Sequence, residues 1–175
     1  MLQWLKEAIQ VLPSKYADLL LFCTLTGMRG SECVESVRLL LSEQHFTSDK
    51  YYNPERQILQ HYLYPQIFIR GTKAIYISIV NDEIIGIAKN IAETPPTQNG
   101  LKRAIARSSL SMCIKYCRKI HASYLHKKEI SSDMIDALQG RISKSIFLRH
   151  YLTPSAGYKD SILDAITELQ QQISG

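Results

Sequence analysis

The sequence lacks any hydrophobic run long enough to cross a membrane. Its longest apolar stretch, around Leu19 to Leu25, falls far short of the ~20 residues a spanning helix needs. The opening Met1-Leu2-Gln3-Trp4-Leu5-Lys6-Glu7 mixes acid and base on an amphipathic pattern and has no signal-peptide core. An intracellular protein with no membrane partner is expected. Cysteine is sparse: Cys23, Cys33, Cys113 and Cys117 do not form the paired short spacings of a zinc site, so buried free thiols are expected. No acidic cluster of the kind a two-metal nuclease uses is visible, and no cofactor is expected. Internal repeats and low-complexity segments are also missing.

Acid is missing from one stretch altogether. Between Thr94 and Lys128 there is no Asp or Glu, while Lys102, Arg103, Arg107, Lys115, Arg118, Lys119, Lys127 and Lys128 fall inside it. The whole chain carries a formal charge of only +5, so the remainder is net acidic. Charge segregated in this way is the footprint of a phosphate-binding surface, although a solvated basic helix face would look the same.

A chain of 175 residues, 45% hydrophobic, suits one domain with a full core. Leu2, Leu5, Ile9 and Val11 form an apolar stripe, and a second helix, with Ser14 as its N-cap, runs to about Thr26. Gly27 breaks it, and a third helix follows Gly30. Residues 42–57 read as a polar loop. Ile67-Phe68-Ile69 and the run from Ile75 to Val80 read as the two strands of a hairpin turning at Gly71. Asn81 caps the next helix, Thr94 to Gly100 reads as a linker, and helices resume from Leu101 to about His126. A short helix capped by Ser131 or Ser132 ends at Gly140, a left-handed C′ glycine. The segment from Ser143 to Tyr151 reads as helical. A last amphipathic helix, about 159–173, carries Ile162, Leu163, Ile166, Leu169 and Ile173. The expected fold class is mainly α with a small antiparallel β-sheet (α+β).

Three short motifs carry the chemistry. Thr26-Gly27-Met28-Arg29-Gly30-Ser31-Glu32 places an arginine in a turn between two helices. Alternatively, Arg29 is a simple capping residue with Glu32 as its surface partner. Lys115-Tyr116-Cys117-Arg118 puts two cations three residues apart, on one side of a helix. Leu138-Gln139-Gly140-Arg141 precedes Arg149-His150-Tyr151, with the tyrosine ten residues after Arg141. Together, in this order and spacing, these motifs resemble the catalytic domain of the tyrosine recombinase (phage-type integrase) family. Lys115 stands where that family usually has His, which is similar to the Lys-x-x-Arg version in integrases of archaeal viruses and plasmids. Arg141 replaces a second His. Both departures keep the positive charge.

The resemblance covers about Ser14 to Tyr158. It implies a metal-independent, site-specific recombinase that cleaves and rejoins DNA strands through a 3′-phosphotyrosine. Tyr151 would be the nucleophile, with Tyr158 as rival. Arg29 and Arg118 would hold the phosphate bidentately, and Arg141 would donate to one of its oxygens. Lys73, at the hairpin tip, would protonate the leaving 5′-oxygen, with Arg70 competing for that position. Lys115 would act as general base or simply bind phosphate. Arg70, Lys102, Arg103, Arg107 and Lys119 would bind DNA.

The implied partner is a double-stranded attachment site, in the host cytoplasm on chromosomal or viral or plasmid DNA, with self-association as a tetramer. The chain reads as a single catalytic domain, 1–175, without the family's N-terminal DNA-clamping domain. Its last helix would either dock on a neighbouring protomer or pack on its own domain. A type IB topoisomerase, a non-catalytic DNA-binding module and a helical interaction domain are the alternatives.

Overall fold

A computed structural model describes residues 1–42, 51–70, 73–91, 96–110, 113–141 and 156–175. Three helices come first: α1 (Leu2–Val11), α2 (Ser14–Thr26) and α3 (Gly30–Ser42). Ser14 does not cap α2. Pro13 holds the N-cap position in an extended conformation, and its carbonyl accepts from the Tyr16 and Ala17 amides. From Ala17 to Thr26 nearly every side chain of α2 is buried. A helix apolar on most of its circumference has to be central, and α2 packs against α1 and α3 and against the later helices Asp82–Asn90, Lys115–Lys127 and Ala156–Ser174.

The sheet differs from the expected hairpin. β1 (Tyr52–Asn53), β2 (Ile58–Gln60) and β5 (Ile77–Ile79) form an antiparallel sheet in the order β1-β2-β5, with Leu59 opposite Ser78. A 3₁₀ turn (His61–Leu63) and a helical turn, α4 (Pro65–Phe68), intervene. Of the expected hairpin, the short strands β3 (Ile69–Arg70) and β4 (Lys73–Ala74) pair antiparallel, with Arg70 opposite Lys73. The cause is Pro65. Its fixed φ suits the first position of a helix, so Ile67 and Phe68 curl rather than extend, and β5 pairs with β2 instead. The fold class is nevertheless as expected: mainly α with a small antiparallel sheet.

The remaining helices are α5 (Asp82–Asn90), α6 (Gln98–Arg107), α7 (Lys115–Lys127), α8 (Ser132–Leu138) and α9 (Ala156–Ser174). Asn81 caps α5 by accepting from the Ile84 amide at 2.9 Å, and Ser131 caps α8 from the Met134 amide at 3.3 Å. α6 begins inside the expected linker, because the Thr97 hydroxyl accepts from the Gly100 amide at 3.0 Å and opens a helix there. Ser143–Tyr151 lies outside the described residues.

The apolar stripe of α9 faces its own domain. Ile162, Ala165, Ile166, Leu169 and Ile173 are buried in the chain's single core, against α7, α1 and α2. Lys128 pairs with Glu168, and Gln172 donates to the Tyr124 hydroxyl at 3.1 Å.

Two buried histidines tie separate elements together. His61 lies 2.7 Å from the Tyr51 hydroxyl through Nδ1 and 2.8 Å from Ser78 Oγ through Nε2, and Tyr51 donates to Ser36 on α3 at 2.9 Å. Burial pulls the His61 pKa down to about 3. Burial, with a smaller contribution from the Arg118 charge, takes His121 down to about 4. A histidine whose folded pKa lies below its unfolded value of 6.5 takes up a proton on unfolding throughout that interval. Stability is therefore full above about pH 6.5 and falls as pH drops. Chemical denaturation between pH 7 and pH 4 should show a loss of roughly 3 kcal/mol for each histidine. His61→Gln and His121→Gln should each flatten that slope. A stability flat over this range would contradict the buried, neutral assignment.

Candidate active site

Box by box, the local sequence explains where each cation sits. Thr26-Gly27 closes α2. Gly27 adopts φ +66 and its amide bonds to the Cys23 carbonyl at 3.1 Å, a left-handed helix end that a glycine makes without strain. Arg29 then sits at the mouth of α3, where its own carbonyl accepts from the Cys33 amide. Glu32 reaches back to the Arg29 amide at 2.8 Å and also binds the Arg29 guanidinium. This is the acidic half of a capping box. Glu32 is not a surface partner: it is buried, while Arg29 stays partly exposed. The capping reading and the phosphate-binding reading of Arg29 are therefore compatible. Glu32 fixes one face of the guanidinium and leaves the rest open.

Arg118 projects from the first turns of α7, one turn after Lys115. It donates to the Gln139 carbonyl at 2.7 Å, and Gln139 Nε2 donates back to the Arg118 carbonyl at 2.9 Å. Gln139 is fully buried. This reciprocal pair fastens the second motif to the third. Burial foremost, then the charges of Arg29 and Arg141, lowers the Arg118 pKa to about 10, and Glu32 opposes the shift. Arg118 remains a cation at neutral pH. Arg29 and Arg141, from two other segments, thus lie within electrostatic reach of the part-buried Arg118.

Arg141 follows a Schellman turn. The Gly140 amide bonds to the Ala137 carbonyl at 3.1 Å, the Arg141 amide bonds to the Asp136 carbonyl at 2.8 Å, and Gly140 has φ +64. Arg141 also pairs with Asp136 at 2.9 Å in an exposed position. Gly140 lies directly against the backbone of β4. A β-carbon there would stand 2.5 Å from the Ala74 carbonyl oxygen. The strand bearing Lys73 is thereby brought beside the third motif.

Of the other predicted site residues, Lys115 is exposed at the start of α7, and Lys119 lies with its Nζ 5.0 Å from the Tyr116 ring centroid. Arg70 is exposed and donates to the Ile67 carbonyl at 3.0 Å. Ile114 packs over Gly30, so the N-terminus of α7 adjoins the Arg29 turn. Lys102 and Lys115 face one groove of about 470 Å³ with Ile105 and Ile114, and Arg103 and Arg107 face another of about 550 Å³ with Tyr16. Lys128, paired to Glu168, is turned to structural use. Tyr151 and its neighbours Arg149 and His150 lie outside the described residues.

Sequence reasoning names Glu32 as a partner of Arg29 but not its burial, and it misses Gln139 as the latch on Arg118 and His121 beneath the first turn. Of these two, His121 leaves a signal, being three residues after Arg118 and so on the same helix face. Among the described residues, no group of three or more His, Cys, Asp or Glu could hold a metal ion. Cys23, Cys33 and Cys117 are buried and Cys113 is exposed, all as free thiols.

The fold is mainly helical and carries an acid-free basic stretch, and comparison with known families identifies its class. Residues 6–160 match the family described as archaeal phage integrase, and the chain belongs to that family. Membership carries an integrase role and DNA as partner. No curated protein and no solved structure matches the chain. No helix among the described residues is long and apolar enough to cross a membrane.

Proposed function

We propose that this integrase is a tyrosine recombinase, with Tyr151 as nucleophile. The observation that carries the reading is that Arg29 and Arg141 both lie within electrostatic reach of the part-buried Arg118. A phosphodiester gathers negative charge on its non-bridging oxygens as it is attacked. Preorganised guanidiniums meet that charge without reorganising and keep their protons. The Tyr151 phenol oxygen forms a bond to phosphorus, and the bond to the 5′-oxygen breaks. The product is a 3′-phosphotyrosine and a free 5′-hydroxyl. Attack by a 5′-hydroxyl reverses the step and rejoins the strand without an external energy source.

Lys73 is the proposed acid for the leaving oxygen, and Arg70, opposite it in the hairpin, contacts DNA. An ammonium can give up its proton, whereas a guanidinium holds it. Lys115 contacts phosphate or takes the tyrosine proton. Lys102, Arg103, Arg107 and Lys119 extend the basic surface along the duplex, making affinity fall steeply with salt. Recombination joins two duplexes, so several copies, as a tetramer, assemble on the attachment site.

The test is covalent trapping. The chain is incubated with a nicked duplex that releases its cleaved end, then denatured in detergent. The expected result is a DNA-linked band that Tyr151→Phe removes while leaving duplex affinity within about twofold. Binding without any linked band in the wild type would overturn the reading. Relaxation of supercoils without joining of two sites would point to topoisomerase activity instead.

A further inference from the structure

His121 is a buried titratable group to which the proposed chemistry gives no task. Its Nδ1 lies 3.0 Å from the Thr24 carbonyl. A carbonyl only accepts, so Nδ1 carries the proton and Nε2 holds a lone pair. Thr24 lies in the last turn of α2, where carbonyls run out of intrahelical donors. His121 therefore caps α2 from a different helix, α7. Its other edge faces Gly27. A β-carbon on Gly27 would stand 2.6 Å from His121 Cδ2 and 2.8 Å from Nε2. Nε2 is buried and has no hydrogen-bond partner among the described residues. The ring is thus wedged under the left-handed turn that leads, two residues later, to Arg29. Arg118 lies one turn before it on the same face of α7.

We propose that His121 is a positioning residue: its ring, anchored to the Thr24 carbonyl, seats the Gly27–Arg29 turn against α7 and so sets the distance between Arg29 and Arg118. The inference rests on the proposed cleavage chemistry, in which those two arginines grip one phosphate. Two properties are needed at once. The N–H satisfies the end of α2, and the flat edge lets the Gly27 backbone approach closely. Phenylalanine keeps the edge and loses the donor. Asparagine keeps a donor near the Nδ1 position and loses the edge. Arg118 itself need not move. Displacing the Arg29 turn by a fraction of an ångström spoils a bidentate grip on the phosphate while leaving the rest of the DNA surface intact.

The experiment compares His121→Phe, His121→Asn, Arg29→Ala and the two double variants. The readouts are the single-turnover rate of covalent complex formation on the nicked duplex and the duplex Kd. Each His121 variant should lower the rate by roughly tenfold to a hundredfold, the scale of a small misplacement near reacting atoms, with Kd little changed. In the Arg29→Ala background the same His121 substitutions should have almost no further effect, because the group they position is gone. His61→Phe, equally buried but in the sheet, serves as control: it should lower the thermal midpoint and leave the rate of the folded protein unchanged.

Losses that multiply in the double variants, or a control that slows cleavage as much, would overturn the proposal while leaving the cleavage reading standing. A wild type that forms no covalent complex would overturn both.

Discussion

Arg118→Ala should slow strand cleavage by about 10²- to 10³-fold, the scale seen when one preorganised donor to a developing oxyanion is removed. The loss should fall on the rate of covalent complex formation and much less on duplex affinity, since the proposed DNA surface includes several other cations. Arg118→Lys should recover little. A lysine places one charge where the guanidinium places a planar fork. It would also lose the fixed aim given by the 2.7 Å bond to the Gln139 carbonyl. That bond occupies one guanidinium nitrogen and leaves the remainder for the proposed phosphate contact. Gln139→Leu tests the same point from the other side. It keeps the backbone carbonyl but removes the side chain that donates to the Arg118 carbonyl, so it should slow cleavage less than Arg118→Ala. Stopped-time trapping with each variant at saturating DNA separates these effects. An Arg118→Ala variant that cleaves at the wild-type rate would remove Arg118 from the chemistry.

Gly140→Ala is the substitution expected to damage the site most through the backbone. Two costs add. A residue with a β-carbon in the left-handed region costs about 1–2 kcal/mol. The new methyl would also stand 2.5 Å from the Ala74 carbonyl oxygen and 2.9 Å from the Ile75 amide nitrogen, and backbone cannot swing aside as a long side chain can. Overpacking of this kind adds about 1–3 kcal/mol. Thermal unfolding should show the combined loss, about 2–5 kcal/mol. The protein that still folds should separate the Arg141 turn from the Lys73 strand and so lose cleavage beyond what its stability explains. Gly86→Ala is the contrast. Nothing lies within 4 Å of a β-carbon there, so neither stability nor cleavage should fall. Equal losses at both positions would contradict the close approach of the third motif to β4.

How much of this was readable before the fold was known depends on how local each cause is. The helix breaks at Gly27 and Gly140, the caps at Asn81 and Ser131 and the mainly α class follow from short-range rules, and all appear in the structure. The arginines at 29, 118 and 141 were legible as candidates because the motifs that hold them resemble a known family. That Arg29 and Arg141 reach Arg118 was not, since it depends on α7 packing against α2 and α8 packing against α7. The expected hairpin fails for a local reason: Pro65 starts a helical turn where Ile67, Phe68 and Ile69 favour a strand. Strand β2 was hidden by its brevity and its polar flank. The Gly27–His121 contact could not be read at all. It joins residues ninety-four positions apart, and neither residue type announces the other. The last helix was open between two partners, because an amphipathic stripe states that a face is buried and not by what.

The nucleophile is the central claim. Mass mapping of the trapped complex tests it most directly. Trypsin should release the segment His150–Lys159, which contains both Tyr151 and Tyr158, after cleavage at Arg149 and Lys159. After nuclease trimming, the account predicts a nucleotide adduct on that peptide, with fragmentation placing the added mass on Tyr151. An adduct on Tyr158, on Tyr116 or on any residue outside that peptide would contradict it.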